Sequence, residues 1–398
     1  MPGGRWSDEF LDRMRETGDD PADRAIQAVF AHNEVETVQR FLHTLRRNDD
    51  RVPDTLPAEL RDCLLSVPEI SVADASIIIE GEEFFARYGP EILVILACCA
   101  LPASYAARKG VQVLHRTGFL EERPNRRLFQ TAQMVIDVMT PGGLGPKGRG
   151  RATVQKVRLM HAAIRHLIRS KHGWDAALGV PINQEDLAGT LMTFTTVVLG
   201  GLAKLKVDVS ARQAHAYFAV WQAIGRLVGI REDLIPDIRD APELTEIIQR
   251  RQIQPSPEGQ AMTQALLGML EHATLVRKGI PSALMRHFLP AGVADGLGIP
   301  VSDETDFVEQ LVDAGATLHR VSDSFLPDHL LRKLSIQLLK TMLSVELIGR
   351  RADFNIPSDL EEAIAVDAEA RARLERWIQS YEPQQEVTGS PAAGSPPV

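Results

Sequence analysis

The sequence has few cysteines, no excess of positive charge and no apolar run long enough to cross a membrane. Its 398 residues include three cysteines, Cys63, Cys98 and Cys99, which form neither a disulfide framework nor a zinc-ligand spacing. The formal net charge of −9 argues against general nucleic-acid binding. With 44% hydrophobic and 24% charged residues, the composition is that of a globular protein able to bury a sizeable core.

Signals for export, membrane insertion and β-structure are also missing. Met1 to Asp12 has no basic region followed by an apolar run, which predicts the absence of an export signal and a cytoplasmic location. The apolar runs Ile92 to Ala107 and Leu191 to Ala203 fall short of the roughly 20 residues that span a bilayer, so we interpret them as buried helices and predict no integral membrane segment. No strand-like alternation of convincing length occurs. The sequence therefore predicts an all-α fold.

The helical pattern divides the chain into four parts. We expect peripheral N-terminal helices over 1–56 and one large helical domain over 57–352. A helical extension over 353–385 follows, and a tail rich in Pro, Gly and Ser over 386–398 is predicted to be disordered. The last helix of the large domain, Leu331 to Arg350, is expected to pack on its core.

One histidine lies within a stripe of apolar residues. Val154, Val157, His161, Ile164 and Ile168 recur at steps of three and four residues. This spacing predicts a helix with His161 pointing into the core.

Two arginines flank this histidine. Arg158 and Arg165 lie one turn before and one turn after it, close to the same helix face. A buried guanidinium keeps its proton and needs an anionic partner. A haem would meet both needs, with iron for the imidazole and two propionates for the arginines. The alternative is a hydrogen-bonded core histidine whose arginines reach solvent or pair with local carboxylates, and this helix alone favours that alternative.

A second polar pattern lies in the segment from Asn125 to Met139. Arg127 and Thr131 are four residues apart on one face, with Gln130 beside them. Such a face could line a pocket. It could equally be the solvated side of an amphipathic helix, which this segment alone favours.

The glycine-rich segment Pro141 to Gly150 invites comparison with phosphate-binding loops. It lacks the Gly-Lys-Ser/Thr ending and follows no strand, so that comparison fails and we expect a flexible loop between two helices.

Two helix starts are also predicted. Asn183 can cap a helix whose first turn is acidic, and Ser210 with Gln213 matches a capping box. The helix that follows Asn183 is rich in small residues, which let a neighbouring helix or a flat cofactor approach its backbone.

Several motifs in the same order resemble the rubber oxygenase (latex-clearing protein) and mycophenolate-type oxygenase family. They span roughly residues 75 to 300 and are Leu101 to Tyr105, Arg116 to Gly118, Arg127 to Thr131, Lys156 to His166, Gly179 to Leu187, and Trp221 through Asp233 to Pro236.

This resemblance implies a globin-related helical bundle around a pocket for haem b. It makes His161 the proximal iron ligand and assigns Arg158, Arg165 and His166 to cofactor binding. It also places Arg127, Gln130 and Thr131 near the cofactor as catalytic residues. The family uses dioxygen to cleave carbon–carbon double bonds in isoprenoid chains.

The sequence departs from the rubber-cleaving members at two positions. They have a lysine before the pocket threonine where this chain has Gln130, and they rely on a distal glutamate for which Val111 and Gln112 offer no equivalent, with only His115 nearby. We therefore expect a haem-dependent oxygenase that acts with dioxygen on a small hydrophobic substrate. A non-catalytic haem-binding or gas-sensing protein is the alternative, and a helical scaffold without a cofactor is the third.

Overall fold

The protein is described here from a computed structural model. The description covers residues 5–66, 72–117, 124–170, 173–272 and 278–319, together with residues 376 and 380. The predicted helix over 331–350 and the predicted disordered tail lie outside the described residues, as does the C-terminal extension apart from those two residues.

Helices account for the regular structure of the described residues. In chain order the α-helices of this part of the chain are α1 Asp8–Arg15, α2 Asp20–Ala31, α3 Val35–Thr44, α4 Ala58–Leu65, α5 Val72–Ile95, α6 Leu101–Tyr105, α7 Val111–Arg116, α8 Pro124–Met139, α9 Gly150–Ser170, α10 Gln184–Met192, α11 Val198–Lys204, α12 Ala211–Leu227, α13 Ala241–Gln252, α14 Pro257–His272, α15 Ile280–Phe288, α16 Ala291–Gly296 and α17 Thr305–His319. Within these residues the β-pairing amounts to an isolated antiparallel bridge between Ala107 and Ile253. The prediction of an all-α fold is confirmed.

Side-chain caps define where several helices begin. The Asn183 side chain accepts a hydrogen bond from the Asp186 amide at the start of α10. Ser210 and Gln213 form the capping box of α12, each side chain bonding the other residue's backbone. Both helix starts agree with the sequence prediction, because a cap satisfies amide groups that have no partner within their own helix.

The main core is built around α5 and α12, which pack along each other. Gly81 of α5 allows this close approach, because an added Cβ would lie 2.5 Å from the Ala216 carbonyl oxygen of α12. Phe84 and Tyr217 contact each other across the interface, with ring centroids 5.4 Å apart.

A second, smaller core lies at the N-terminal side of the fold. Buried residues of α2, α3 and α4, among them Ile26, Leu42 and Leu60, pack against Leu159 and Ala163 of α9. We call this the N-terminal core. Because α9 also borders the main core, it is shared between the two.

The N-terminal segment is less peripheral than its sequence predicts. Trp6, Leu11 and Met14 are buried in the main core. Trp6 also donates a hydrogen bond through its indole N–H to the backbone oxygen of Asp233, 2.8 Å away. The pattern of apolar residues predicts the amphipathic helices but does not reveal which partner covers them.

Among the described residues, the helical stretches that overlap the two apolar runs are longer than the runs themselves. Unlike the runs, they are long and apolar enough to cross a membrane, judged by length and composition alone. They are Asp74–Tyr105 and Gln184–Lys204, whose most apolar windows are 83% and 44% buried inside the fold. Core helices of soluble proteins have the same properties, so the two stretches are weak evidence for a membrane span.

Candidate active site

A cavity of about 340 Å³ lies between α5, α8, α9, α10, α12 and α13, and we call it the central cavity. Its wall is mainly apolar, with contributions such as Leu96, Val135, Phe194 and Ile224. Its size falls within the range of small-molecule pockets, which are also mostly apolar with a few polar groups.

Two π-helical turns contribute to the wall of this cavity. Leu96–Ala100 continues α5, and Thr193–Val197 joins α10 to α11. The two turns contact each other, and both contribute residues to the lining. A π-turn widens a helix locally and is frequent at functional sites, so the helix distortions coincide with the cavity.

One face of α9 forms part of the wall and carries the predicted iron ligand. His161 lines the central cavity together with Val157, Met160 and Ile164. Among the described residues, no group of three or more His, Cys, Asp or Glu side chains is placed to hold a metal ion. The imidazole of His161 on this wall is a candidate ligand for the iron of a porphyrin, which itself supplies the other donors.

Gln130 and Thr131 of α8 also line the central cavity, a position that the family resemblance implies and that the helix pattern alone did not favour. Arg127 lies in the same helix, but its side chain falls outside the part of the chain that the structure describes. The structure therefore brings Gln130, Thr131 and His161 to one cavity. Their catalytic and ligating roles stay predictions.

Arg158 and Arg165 are placed elsewhere. Arg158 donates to Asp19 through Nε at 2.5 Å and Nη2 at 2.7 Å, while Arg165 donates to Asp23 through Nε at 2.7 Å. Neither arginine lines the central cavity as it is formed by the described residues. Because α-helical residues advance by about 100°, the two arginines lie roughly 40–60° around α9 from His161. Asp19 and Asp23 supply the anions that these guanidiniums need, so the arginines no longer argue for propionates.

His166 is also turned away from the cavity. Its ring stacks on Phe30 of α2, with centroids 4.6 Å apart and planes 20° apart. Burial, with a smaller contribution from the nearby Arg169, lowers the pKa of this imidazole below its ordinary value, and Asp23 opposes the shift. The assignment of His166 to cofactor binding therefore has no support in this geometry.

A buried ionic cluster contributes to the lining of the central cavity, and sequence reasoning missed it. The fully buried Glu185 accepts hydrogen bonds from Arg15 at 3.2 Å, Arg251 at 2.7 Å and Gln252 at 2.9 Å. Asp186 accepts one from Arg15 at 3.0 Å. Glu185, Asp186 and Gln252 all line the cavity.

The electrostatics of this cluster follow from its burial. Desolvation raises the pKa of the Asp186 carboxyl, while the charge and hydrogen bond of Arg15 lower it. Sequence reasoning took Glu185 and Asp186 only as acidic residues of a helix start. One signal was present, because Glu185 shares a helix face with Ala188 and Met192, three and seven residues later, and both are buried.

The wall near α7 is apolar where the resemblance to rubber-cleaving oxygenases implies a base. Gly110, Val113 and Leu114 line the cavity there. Val111 is buried in the main core, and His115 is not among the described residues that form the lining. The departure seen in the sequence therefore persists in the structure.

The glycine-rich loop between α8 and α9 binds groups of the chain itself. The Gly142 amide donates to Glu82 Oε2 at 2.8 Å, and the Gly143 amide donates to the Thr140 carbonyl at 2.8 Å. Asn48 donates to the Gly143 carbonyl at 2.9 Å and accepts from the Ala152 amide at 3.1 Å. These contacts use the amides that a bound phosphate would need.

Comparisons with known proteins agree with this architecture. The model of the family described as ER-bound oxygenase mpaB/B'/rubber oxygenase, catalytic domain, matches residues 90–336. A rubber oxygenase of Streptomyces sp. (strain K30) is 28% identical over 292 residues, which is 71% of this chain and 70% of that protein. A solved structure of latex clearing protein in the closed state superimposes with a TM-score of 0.74 at 27% identity, covering 87% of this chain and 95% of the other.

Proposed function

The chain belongs to the ER-bound oxygenase mpaB/B'/rubber oxygenase family, and from this premise we propose that it is a haem b-dependent oxygenase. In this proposal it uses dioxygen to cleave or oxygenate a small hydrophobic substrate, with isoprenoids as the first class to test. An oxygenase role follows from the family. The haem, the substrate class and the cytoplasmic location are parts of the proposal.

The observation that carries the proposal is the position of His161 on the wall of a mainly apolar cavity. The residues present fit a haem in two respects: an imidazole can ligate the iron, and apolar walls suit a flat macrocycle. Bound there, a haem would supply an iron with one position for dioxygen. The apolar residues would exclude water and hold the substrate, while Gln130 and Thr131 would offer hydrogen bonds at the wall.

Cleavage of polyisoprene itself is not part of the proposal. The Gln130 amide cannot replace a lysine amine as a reversible iron ligand, and the α7 wall presents Gly110, Val113 and Leu114 rather than a carboxylate. The same apolar wall favours a second candidate function. A haem protein that binds a gas or haem itself, without catalysis, needs no base at this position.

The ultraviolet–visible spectrum of the purified protein tests the proposal. We expect a Soret band at one b-type haem per chain, lost or displaced in His161→Ala. The matched control is His166→Ala, five residues further along α9 and turned away from the cavity, in which the band should remain. A colourless wild type that also fails to take up added haemin would contradict the proposal. Oxygen uptake with an isoprenoid then separates an oxygenase from a non-catalytic haem protein.

A further inference from the structure

Gln252, at the end of α13, has a side-chain oxygen that the fold does not use. The residue is 5% exposed and lines the central cavity. Its Nε2 donates to Glu185 Oε2 at 2.9 Å, and its backbone oxygen accepts from the Arg108 amide at 2.9 Å. Its Oε1 is buried and accepts no hydrogen bond from the described residues. A buried acceptor in this state costs free energy that a donor in the cavity would recover.

The orientation of this carboxamide is set by its neighbours. Glu185 is fully buried, and Arg251 and Arg15 donate to its two oxygens. Because both oxygens act as acceptors for these guanidiniums, Gln252 turns its NH₂ group toward Glu185. The opposite rotamer would place two oxygens against each other. The Gln252 oxygen is therefore the part of the amide that remains for a molecule in the cavity.

The charges around Gln252 restrict what that molecule can carry. Glu185 and Asp186 line the cavity, and both are already paired with arginines of the same cluster. An ionised carboxylate placed there would find no unpaired cation in this cluster and has no hydrogen to donate to the Gln252 oxygen. The adjoining lining residues Ala107 and Ile253 are apolar. A neutral group with an O–H or N–H satisfies the acceptor.

We infer that the substrate of this cavity is an apolar, uncharged molecule with one hydroxyl or amide N–H, which Gln252 recognises through its carboxamide oxygen. The inference rests on the proposed function and adds the polar group of the substrate to it. It assigns Gln252 to substrate specificity, and Glu185, Arg15 and Arg251 to positioning the Gln252 side chain.

Isothermal titration calorimetry on the protein as purified tests this assignment with four probes of one carbon skeleton. The probes are a fifteen-carbon isoprenoid alcohol, its methyl ether, the corresponding hydrocarbon and the corresponding acid. The ether keeps the oxygen and loses the donor. We expect the alcohol to bind on the order of tenfold or more tightly than the ether, because a site built to bond a hydroxyl discriminates against analogues without one. The acid should bind more weakly than the alcohol.

Gln252→Met keeps the side-chain length and removes the acceptor, so the preference for the alcohol over the ether should disappear. Gln249→Met is the matched control, since Gln249 lines the same cavity one turn earlier but is exposed. It should keep the preference. If Gln252→Met does not fold, Gln252→Asn withdraws the amide by one methylene and should weaken alcohol binding alone.

Equal affinity of the wild type for alcohol and ether would overturn the inference and leave the oxygenase proposal intact. Full preference in the folded Gln252 variant would overturn it too. If none of the four probes binds, both the inference and the proposal of an isoprenoid-like substrate fail.

Discussion

The two faces of α9 differ in how their polar groups are used. On the face toward the central cavity, His161 lies among apolar side chains on a wall that a ligand can reach. On the face toward the N-terminal core, Arg158 and Arg165 are paired with aspartates, and His166 is stacked on a phenylalanine. These four residues lie within nine positions of each other in the sequence, yet they serve two different neighbours.

Substitutions on the two faces of α9 should therefore have different effects, one on stability and the other on ligand binding. The charged groups on the N-terminal face are paired with aspartates of the protein, so changing them should alter the free energy of unfolding. Groups on the cavity face border space that a ligand can fill, so changing them should alter binding more than unfolding. Substitutions on either side can therefore test the division.

The largest effect is expected from breaking the Arg158–Asp19 pair. Both side chains are less than a tenth exposed, so Asp19→Asn leaves an uncompensated buried guanidinium. We expect the free energy of unfolding to fall by about 3–5 kcal/mol, measured by urea denaturation. Asp20→Asn is the control, because the neighbouring Asp20 is exposed and its loss should have little effect. A change below about 1 kcal/mol in Asp19→Asn would show that the pair does not hold α9.

Two adjacent residues sharpen the comparison further. Leu159 is 1% exposed in the N-terminal core, whereas Met160 lines the central cavity. Leu159→Ala creates a void in packed surroundings and should cost about 2–5 kcal/mol in urea denaturation. Met160→Ala enlarges space that is already open, so it should cost clearly less and instead change affinity for apolar ligands. Equal losses of stability would contradict the division of α9 into two faces.

Much of this fold follows from local sequence signals. Helix periodicity is local, so the all-α prediction is confirmed, and the caps at Asn183 and Ser210 need only neighbouring residues. His161, Gln130 and Thr131 line one cavity, which the family resemblance implies, whereas the local pattern of each helix alone favoured the alternative. These three side chains share a cavity although α8 and α9 are separated by a loop.

Long-range pairing is what the sequence does not reveal. Asp19 lies 139 residues from Arg158, and Gln252 lies 67 residues from Glu185. Helical spacing places the two arginines roughly 40–60° around the helix from His161, and this small difference decides which neighbour each side chain meets. The family resemblance predicts the pocket. It does not predict ion pairs and hydrogen bonds that are specific to this chain.

A smaller effect is expected at Gly229, where the chain passes close to the Arg158–Asp19 pair. Gly229 has a φ of +89°, and an added Cβ would overlap Asp19 Oδ2 and lie 2.8 Å from Arg158 Nε. Gly229→Ala should therefore cost about 1–2 kcal/mol by urea denaturation, from the backbone conformation alone. Gly200→Ala is the matched control, since its Cβ would meet nothing within 4 Å and helical alanine is favourable. A neutral Gly229→Ala would mean that neither the left-handed backbone conformation nor the displaced ion pair costs stability.

The smallest effect is a pH dependence that belongs to the N-terminal face. Burial lowers the pKa of His166 in the folded protein, so between that pKa and the ordinary value of 6.5 the unfolded chain binds more protons. The contribution of His166 to stability is thus present above about pH 6.5 and is lost as the pH falls toward the folded pKa. His166→Phe keeps a ring to stack on Phe30 and cannot titrate. The wild type should lose more stability than this variant between about pH 7.5 and 5.5 in urea denaturation.

Since Asp23 and Arg169 are common to both proteins, identical pH profiles would show that His166 does not couple α9 to α2. Because His166 faces away from the cavity, ligand affinity should be the same in the two proteins at each pH, which keeps binding and stability on separate sides of the helix.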